Sequence, residues 1–440
     1  MPKDKKYFRD PIHGFIEVSG CALRIVDCPY FQRLRRIKQV AFTNYAYHGA
    51  EHSRFGHSLG AYHLARLLSE RLLPSDENDI KEEFCLAALL HDIGHHPFSH
   101  SFESVLVGNQ DTNIINYEHE NYTEAIIRNT IVGEHIEDSG LNKTNVINLI
   151  NGRYLEKVEL SYLNDLISSE LDVDRLDYLP RDAFYCGVPY GRLDLDRISL
   201  SLEPKDGEII VGAKGRESVE MYILARFFMY TQVYLHHTTR AFDIMLKNVF
   251  LKDFLNNLNY PKPVKADIER IVGFDDFWLR RQLLHLSQHG SSLGKTLSAN
   301  ILNRNPLKVV MQKKAFADAQ TSAIDPDYAK IVNLENDIED IARRAGIETE
   351  KIYFDTPWKD LPFENRYRPY SSSEDRNVIK VRLRGKISDI AMDPTSLCFY
   401  LAKCIAQTIR IYTLDEHRED VAKAISDKYS DLVQYIWPPE

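Results

Sequence analysis

The chain has 440 residues, 44% apolar and 27% charged, the balance of an ordinary globular protein with length for two to three domains. Lys and Arg number 55 against 64 Asp and Glu, a net charge of -9, which argues against a general nucleic-acid binder but leaves room for a local basic pocket. No run approaches the length of a membrane span, the opening "MPKDKKYFRDPIHGF" lacks a secretory apolar stretch, and six scattered cysteines without a C-x-x-C pair suit a reduced, cytoplasmic setting.

Helical patterning dominates in chain order. "FQRLRRIKQV" (31–40) and "HSLGAYHLARLLSERLL" (57–73) place apolar residues three and four apart with charges on the other face, predicting amphipathic helices. "EEFCLAALLHD" (82–92) is apolar nearly all round and predicts a central helix. "YLNDLISSELDVDRLDYLPRDAF" (162–184) predicts a helix ending at Pro180, and "LEPKDGEIIVG" (202–212) a hairpin turning at Asp206-Gly207. "ESVEMYILARFFMYTQVYLHHTTRAFDIMLKNVF" (217–250) predicts a long helix, and helical texture continues from "NPLKVVMQKKAFADAQTS" (305–322) through "IEDIARRAGIETEKIY" (338–353). "DTPWKDLPFENRYRPYSSSEDRN" (355–377) reads as a linker or surface loop. "NVIKVRL" (377–383) and "TIRIYTL" (408–414) alternate like strands, and "EDVAKAISDKYSDLVQYI" (419–436) closes with a helix. The expected architecture is mainly α: a helical body over residues 1–330 and a small α+β lobe over 331–440.

One stretch behind the central helix, "LLHDIGHHPFSH" (89–100), concentrates His91, Asp92, His95, His96 and His100. "HSRFGH" adds His52 and His57, and "SELDVDRLDYLPRD" adds Asp172, Asp174, Asp177 and Asp182. Imidazole with carboxylate is a borderline ligand set that suits Mn, Fe, Ni or Zn, and Mg where more oxygens join. A bare His-Asp pair is usually a cap or an ion pair, and acids along a helix are usually a solvated face. The three strings in this order are a different matter, because chance does not readily supply them.

Together they resemble the HD-domain phosphohydrolases, and more narrowly the deoxynucleoside triphosphate triphosphohydrolases, from "FRDPIHGFIEV" to "VYLHHTTRAFD", over half the chain. The resemblance implies an HD-domain helical core with one divalent ion between His57, His91, Asp92 and Asp174, and further Mg arriving with nucleotide. Asp172 and Asp177 then remain helix-face or supporting acids, and His52 and His96 receive no role. It implies Arg54, Arg175 and Arg226 on the phosphates, with Arg175 standing where many relatives carry Lys. His95 and His119, with Glu120 and Glu103, would be the acid/base group, His119 donating the proton to the departing sugar oxygen and His100 supporting it. Gln39, Val40, Tyr178, Asp182 and Tyr234 would form a tight wall around a deoxyribose, leaving the base little touched.

The same resemblance implies a guanine-nucleotide activator, GTP or dGTP, at a subunit contact through Lys6, Asp27, Gln32 and Arg35. A carboxylate can accept from the N–H edge of guanine while arginine donates to O6 and N7. A second activator pocket is less well matched: Arg9 and His237 replace residues usual in the family, and Lys214 and His236 remain. The implied reaction releases deoxynucleoside and inorganic triphosphate from a dNTP, in a homo-oligomer expected to be a tetramer, with no membrane or nucleic-acid partner. An HD phosphodiesterase or nucleotide monophosphatase would share the ion, but "DPIHG" and "PYFQRLRRIKQV" speak for the triphosphohydrolase branch. A non-catalytic nucleotide sensor is disfavoured by the complete ligand set.

Overall fold

A computed structural model describes residues 5–107, 118–154, 156–253, 259–318, 326–356, 378–383, 385–402 and 404–436. The fold is mainly α, as the patterning implies. A hairpin of β1 (Lys5–Asp10) and β2 (Gly14–Ser19) precedes the helical body. The helix Arg54–Leu72 packs against the central helix Asn78–Leu90, whose Phe84, Leu86, Ala87, Leu89 and Leu90 are all buried. The helix Val173–Cys186 crosses the first of these, and Gly60 permits the approach: a Cβ there would lie 1.8 Å from Asp177 Oδ1 and 2.4 Å from an Arg181 nitrogen. These three helices bring the His-rich strings together.

Several elements depart from their predicted form. The helix Val173–Cys186 carries Pro180 inside it and ends instead at Gly187, which takes φ +71°. A left-handed residue at that position is where glycine costs least. "FQRLRRIKQV" is no continuous helix: Pro29–Gln32 is one turn, Arg33–Arg36 is a 3-10 turn, and the chain then extends so that Lys38 pairs with Ser53. Within this segment Arg33 turns inward and is fully buried rather than lying on a solvated face. The long 217–250 pattern splits into Arg216–Phe228, a π-helical turn Met229–Tyr234, and His237–Asp253.

The hairpin forms as expected from β3 (Leu202–Lys205) and β4 (Glu208–Val211), with φ +53° at Asp206 and +79° at Gly207. Two positive φ values in a two-residue loop match the twist of the flanking strands. Further along, residues 308–318 are strand β5 (Lys308–Asp318), where the pattern predicted helix. β5 pairs antiparallel with β9 (Cys404–Thr413), which also pairs with β6 (Ile352–Asp355). Val309, Val310 and Met311 are buried, and the distant partner strand decides the conformation.

The two strands expected in the C-terminal lobe belong to different sheets. β7 (Lys380–Leu383) joins β4 in parallel and pairs with β8 (Lys386–Asp389), whereas β9 forms the sheet with β5 and β6. A second apolar cluster, including Val310, Ile331, Ile341, Ile409, Ile411 and Val421, lies around that sheet and the helix Arg418–Lys428. Buried Asp355 receives Arg240 from the helical body and Arg410 from β9. The loop expected at 355–377 lies almost entirely outside the described residues. Among the described residues, no helix is long and apolar enough to cross a membrane.

Candidate active site

The end of the central helix meets the starts of Arg54–Leu72 and Val173–Cys186, and there the four expected ligand residues converge. His57 Nε2 lies 3.2 Å from His91 Nε2, 3.0 Å from Asp174 Oδ1 and 3.5 Å from Asp92 Oδ2. His91 Nε2 lies 3.3 Å from Asp92 Oδ1 and 3.5 Å from Asp174 Oδ1. Both rings are oriented from behind. His57 Nδ1 donates to Asp177 Oδ2 at 2.8 Å, and His91 Nδ1 donates to the Ala88 carbonyl at 2.8 Å. A carboxylate and a carbonyl can only accept, so both Nε2 lone pairs face one another and two acids.

The carboxylates of that donor set draw positive charge to its centre. Burial works against a proton on His57, but hydrogen bonds and charge from Asp174 and Asp177, with the charge of Asp92, raise its pKa to about 10. Two imidazoles and two carboxylates around one point fit a divalent cation, which would displace that proton. The residues present therefore fit the ion.

Sequence reading left Asp177 among the supporting acids and assigned nothing to Asp10, His13 or Arg181. The structure joins them. Arg181 donates from Nε to Asp177 Oδ2 at 2.8 Å and from a terminal nitrogen to Oδ1 at 2.9 Å, and also to Asp10 Oδ2 at 2.8 Å. His13 Nε2 sits 2.6 Å from Asp177 Oδ1, while Asp10 Oδ1 caps the backbone N–H groups of Ile12 and His13. "DPIHG" is thus part of the support that aims His57. The i,i+4 spacing of Asp177 and Arg181 was the available signal. Gly60→Ala would push directly into this pair, so it should destabilise the fold by about 1–3 kcal/mol, as overpacking does. A melting curve with and without added Mn checks it; an unchanged melting temperature would mean the helices can part freely.

Around the ligands, Arg54 points at Asp92 Oδ2 and donates from Nε to Ser99 Oγ at 2.8 Å, so part of its guanidinium is already committed. His95 Nε2 lies 3.2 Å from Asp92 Oδ1, and its ring stacks on His119 with centroids 3.9 Å apart. Glu103 accepts from His119 Nδ1 and from His100 Nδ1, each at 2.8 Å. Glu120 is further, 3.3 Å from His119 Nδ1, and more exposed, so Glu103 is the main partner of that ring. His96 bonds Tyr260 and is a core histidine.

Arg175 and Arg226 occur as a pair of half-buried cations. Arg175 is held by Asp172 and the Ser169 carbonyl, and Arg226 by Glu170. The Nε of each is buried without an acceptor. Beside them, Tyr178 has its ring 6.4 Å from His57 and 6.3 Å from Tyr234. Tyr234 donates to Asp182 Oδ2 at 2.6 Å, and His52, which the sequence left unassigned, contacts Asp182 Oδ1 at 2.7 Å. Gln39 Oε1 is buried without a partner, and Val40 packs half-buried against the core.

Away from this centre, Lys6 Nζ lies 2.6 Å from Asp27, Gln32 donates to the Val26 carbonyl at 2.7 Å, and Arg35 donates to Gln32 at 2.9 Å. The four residues expected around guanine therefore form one surface patch in a single chain. His236 and His237 line a separate cavity of about 1170 Å³ with Arg304, Lys308 and Arg418; Lys214 is not among its lining residues.

Comparison with known proteins agrees with this geometry. Residues 54–182 match the HD domain, and residues 193–430 match the HD associated region. The chain is 32% identical over 388 residues to the uncharacterized protein YwfO of Bacillus subtilis, covering 79% of this chain and 84% of that one. It is 30% identical over 361 residues to the deoxynucleoside triphosphate triphosphohydrolase SAMHD1 homolog of Dictyostelium discoideum, covering 76% of this chain and 67% of that one. A crystal structure of a phosphohydrolase from Bacteroides thetaiotaomicron superposes with a TM-score of 0.68 at 28% identity, over 93% of this chain and all of that one. An HD domain joined to an HD-associated region, with the histidines and aspartates gathered at one point, places this chain in the HD-domain family of metal-dependent phosphohydrolases.

Proposed function

We propose that the protein hydrolyses deoxynucleoside triphosphates to deoxynucleoside and inorganic triphosphate. The observation that carries this reading is that three kinds of group surround one ligand cluster. The His119–Glu103 couple and His95 can move protons, Arg175 and Arg226 present positive charge, and the Tyr178–Tyr234–Asp182 group offers two rings and an acceptor beside them. A divalent ion held by His57, His91, Asp92 and Asp174 supplies Lewis acidity toward a phosphoryl oxygen. Arg175 and Arg226 are preorganised donors for the spread negative charge of a triphosphate, and arginine can grip two oxygens at once. Asp182, held by Tyr234 and His52, is an acceptor for a 3′-hydroxyl. His119, close to Glu103, is the donor for the departing 5′-oxygen. The Dictyostelium relative's name supports the same substrate class.

The activator belongs to this reading. Asp27, Gln32, Arg35 and Lys6 offer the acceptor and donors that guanine and its phosphates require, and GTP or dGTP bound there at a subunit contact favours a tetramer. Binding shifts an assembly equilibrium only if the nucleotide prefers one state. The test compares hydrolysis of the four dNTPs and of ATP, with Mn, with and without GTP, in wild type and Asp27→Ala, alongside sedimentation. The expected result is turnover of all four dNTPs, none of ATP, a rise with GTP together with tetramer formation, and loss of that rise in Asp27→Ala at unchanged metal content. Equal turnover of ATP would remove the sugar wall from the account, and a full GTP response in Asp27→Ala would move the activator elsewhere.

A further inference from the structure

Between the Asp27–Gln32–Arg35 patch and the catalytic loop lies Arg33, whose side chain the core encloses completely. Its Nε donates to the Phe274 carbonyl at 2.9 Å, one terminal nitrogen to the Ile93 carbonyl at 3.1 Å, and the other to the His95 carbonyl. A buried guanidinium is costly unless its donors are met, and here the loop bearing Asp92 and His95 supplies two of the three acceptors. The same short stretch holds the loop at its other end. Lys38 N and Phe98 N both donate to buried Asp276, at 3.0 and 2.8 Å, and Ser99 Oγ donates to the Lys38 carbonyl at 2.9 Å.

The loop needs such anchors. Phe98 and Ser99 take φ +52° and +51°, two consecutive non-glycine residues in the left-handed region. That conformation is strained and persists only where the surroundings enforce it. Arg33 and Arg35 lie on one 3-10 turn, Arg33–Arg36. Arg33 faces the loop, while Arg35 lies over the Phe55 ring at 3.5 Å and bonds Gln32 on the activator side. One turn therefore touches both regions.

We propose that Arg33 is a positioning residue, setting the backbone of His95 so that its ring meets Asp92 and His119, and that through it an occupant of Gln32 and Arg35 changes turnover. The second half rests on the activator reading above. It requires that the turn have two arrangements, which the activator and the catalytic loop both bias.

The test uses full-length Arg33→Lys, whose ammonium can serve some but not all of the three carbonyls. Bound metal, melting temperature, and kcat and KM for dATP are measured with and without GTP. The expected result is a folded, metal-loaded protein with kcat lower by ~10–100-fold, the scale of an ångström misplacement, with KM little changed and a diminished response to GTP. Wild-type kcat in that variant overturns the positioning role. A reduced kcat with the full GTP stimulation overturns the link. Should wild type itself ignore GTP, the activator reading fails and the link with it, while kcat of the variant still decides the positioning role. Asp276→Asn tests the opposite anchor if Arg33→Lys does not fold. A fall in kcat at constant KM and metal content is again expected, and unchanged kcat again overturns the proposal.

Discussion

Asp174→Ala is expected to purify without its divalent ion and to lose roughly 1,000-fold or more in kcat, since Lewis-acid stabilisation is worth several kcal/mol and each ~1.4 kcal/mol is tenfold. The argument rests on charge. His57 and His91 are fixed from behind by Asp177 and the Ala88 carbonyl, so both Nε2 atoms stay aimed at the centre whether or not a cation is there. Asp92 already shares its charge with Arg54. Asp174, whose Oδ1 is 3.0 Å from His57 Nε2, carries the remaining negative charge, and removing it leaves a cation under-neutralised. Asp172→Asn is the control: Asp172 caps the same helix by accepting from Arg175 N at 2.8 Å and is no ligand, so the ion should remain. Metal analysis of both variants decides it. Full occupancy and normal turnover in Asp174→Ala would dissolve the ligand set.

His119→Ala should lower kcat by ~10²–10⁴-fold, the usual contribution of a positioned acid, with a smaller effect on KM. Burial alone would strip the proton from His119, but the charge and hydrogen bond of Glu103 overcome it and raise the pKa to about 9. His95, stacked against it, is held well below the ordinary range by burial and by the charges of Arg54 and His119. At neutral pH the two rings are therefore in opposite states, one charged and one neutral, as an acid and its neighbour should be. The sign for a proton donor is that activity is full below its pKa and falls as pH rises through it. The alkaline limb of kcat should thus lie near pH 9 in wild type. In Glu103→Gln it should move down toward the ordinary histidine value of about 6.5. An alkaline limb that stays in place would take His119 out of the proton-transfer step.

The parts of this molecule that were legible in the sequence are those in which neighbours along the chain are neighbours in function. His91 and Asp92 sit together at a helix end, and the apolar run before them announces the helix that carries them. The Asp206-Gly207 turn is equally local. What escaped reading depends on distant partners. β5 lies inside a stretch of helical texture, and only pairing with β9, about ninety residues on, makes it a strand. Pro180 looked like a stop, yet packing against Arg54–Leu72 carries the helix through it to Gly187. Arg33 looked like a solvated charge because nothing nearby in sequence reveals that the carbonyls of Ile93, His95 and Phe274 await it. Asp10 and His13 are more than 160 residues from Asp177, so their support of His57 is visible only in three dimensions.

The most direct test of the central claim is the identity of the first phosphorus-containing product. Wild-type protein, loaded with Mn, is given dATP with GTP, and the early products are resolved by anion-exchange chromatography. If the ligand cluster, His119, Arg175 and Arg226 act on the phosphate nearest the sugar, deoxyadenosine and intact triphosphate appear together in equal amounts. Orthophosphate with dADP, or pyrophosphate with dAMP, as the first product would contradict the account.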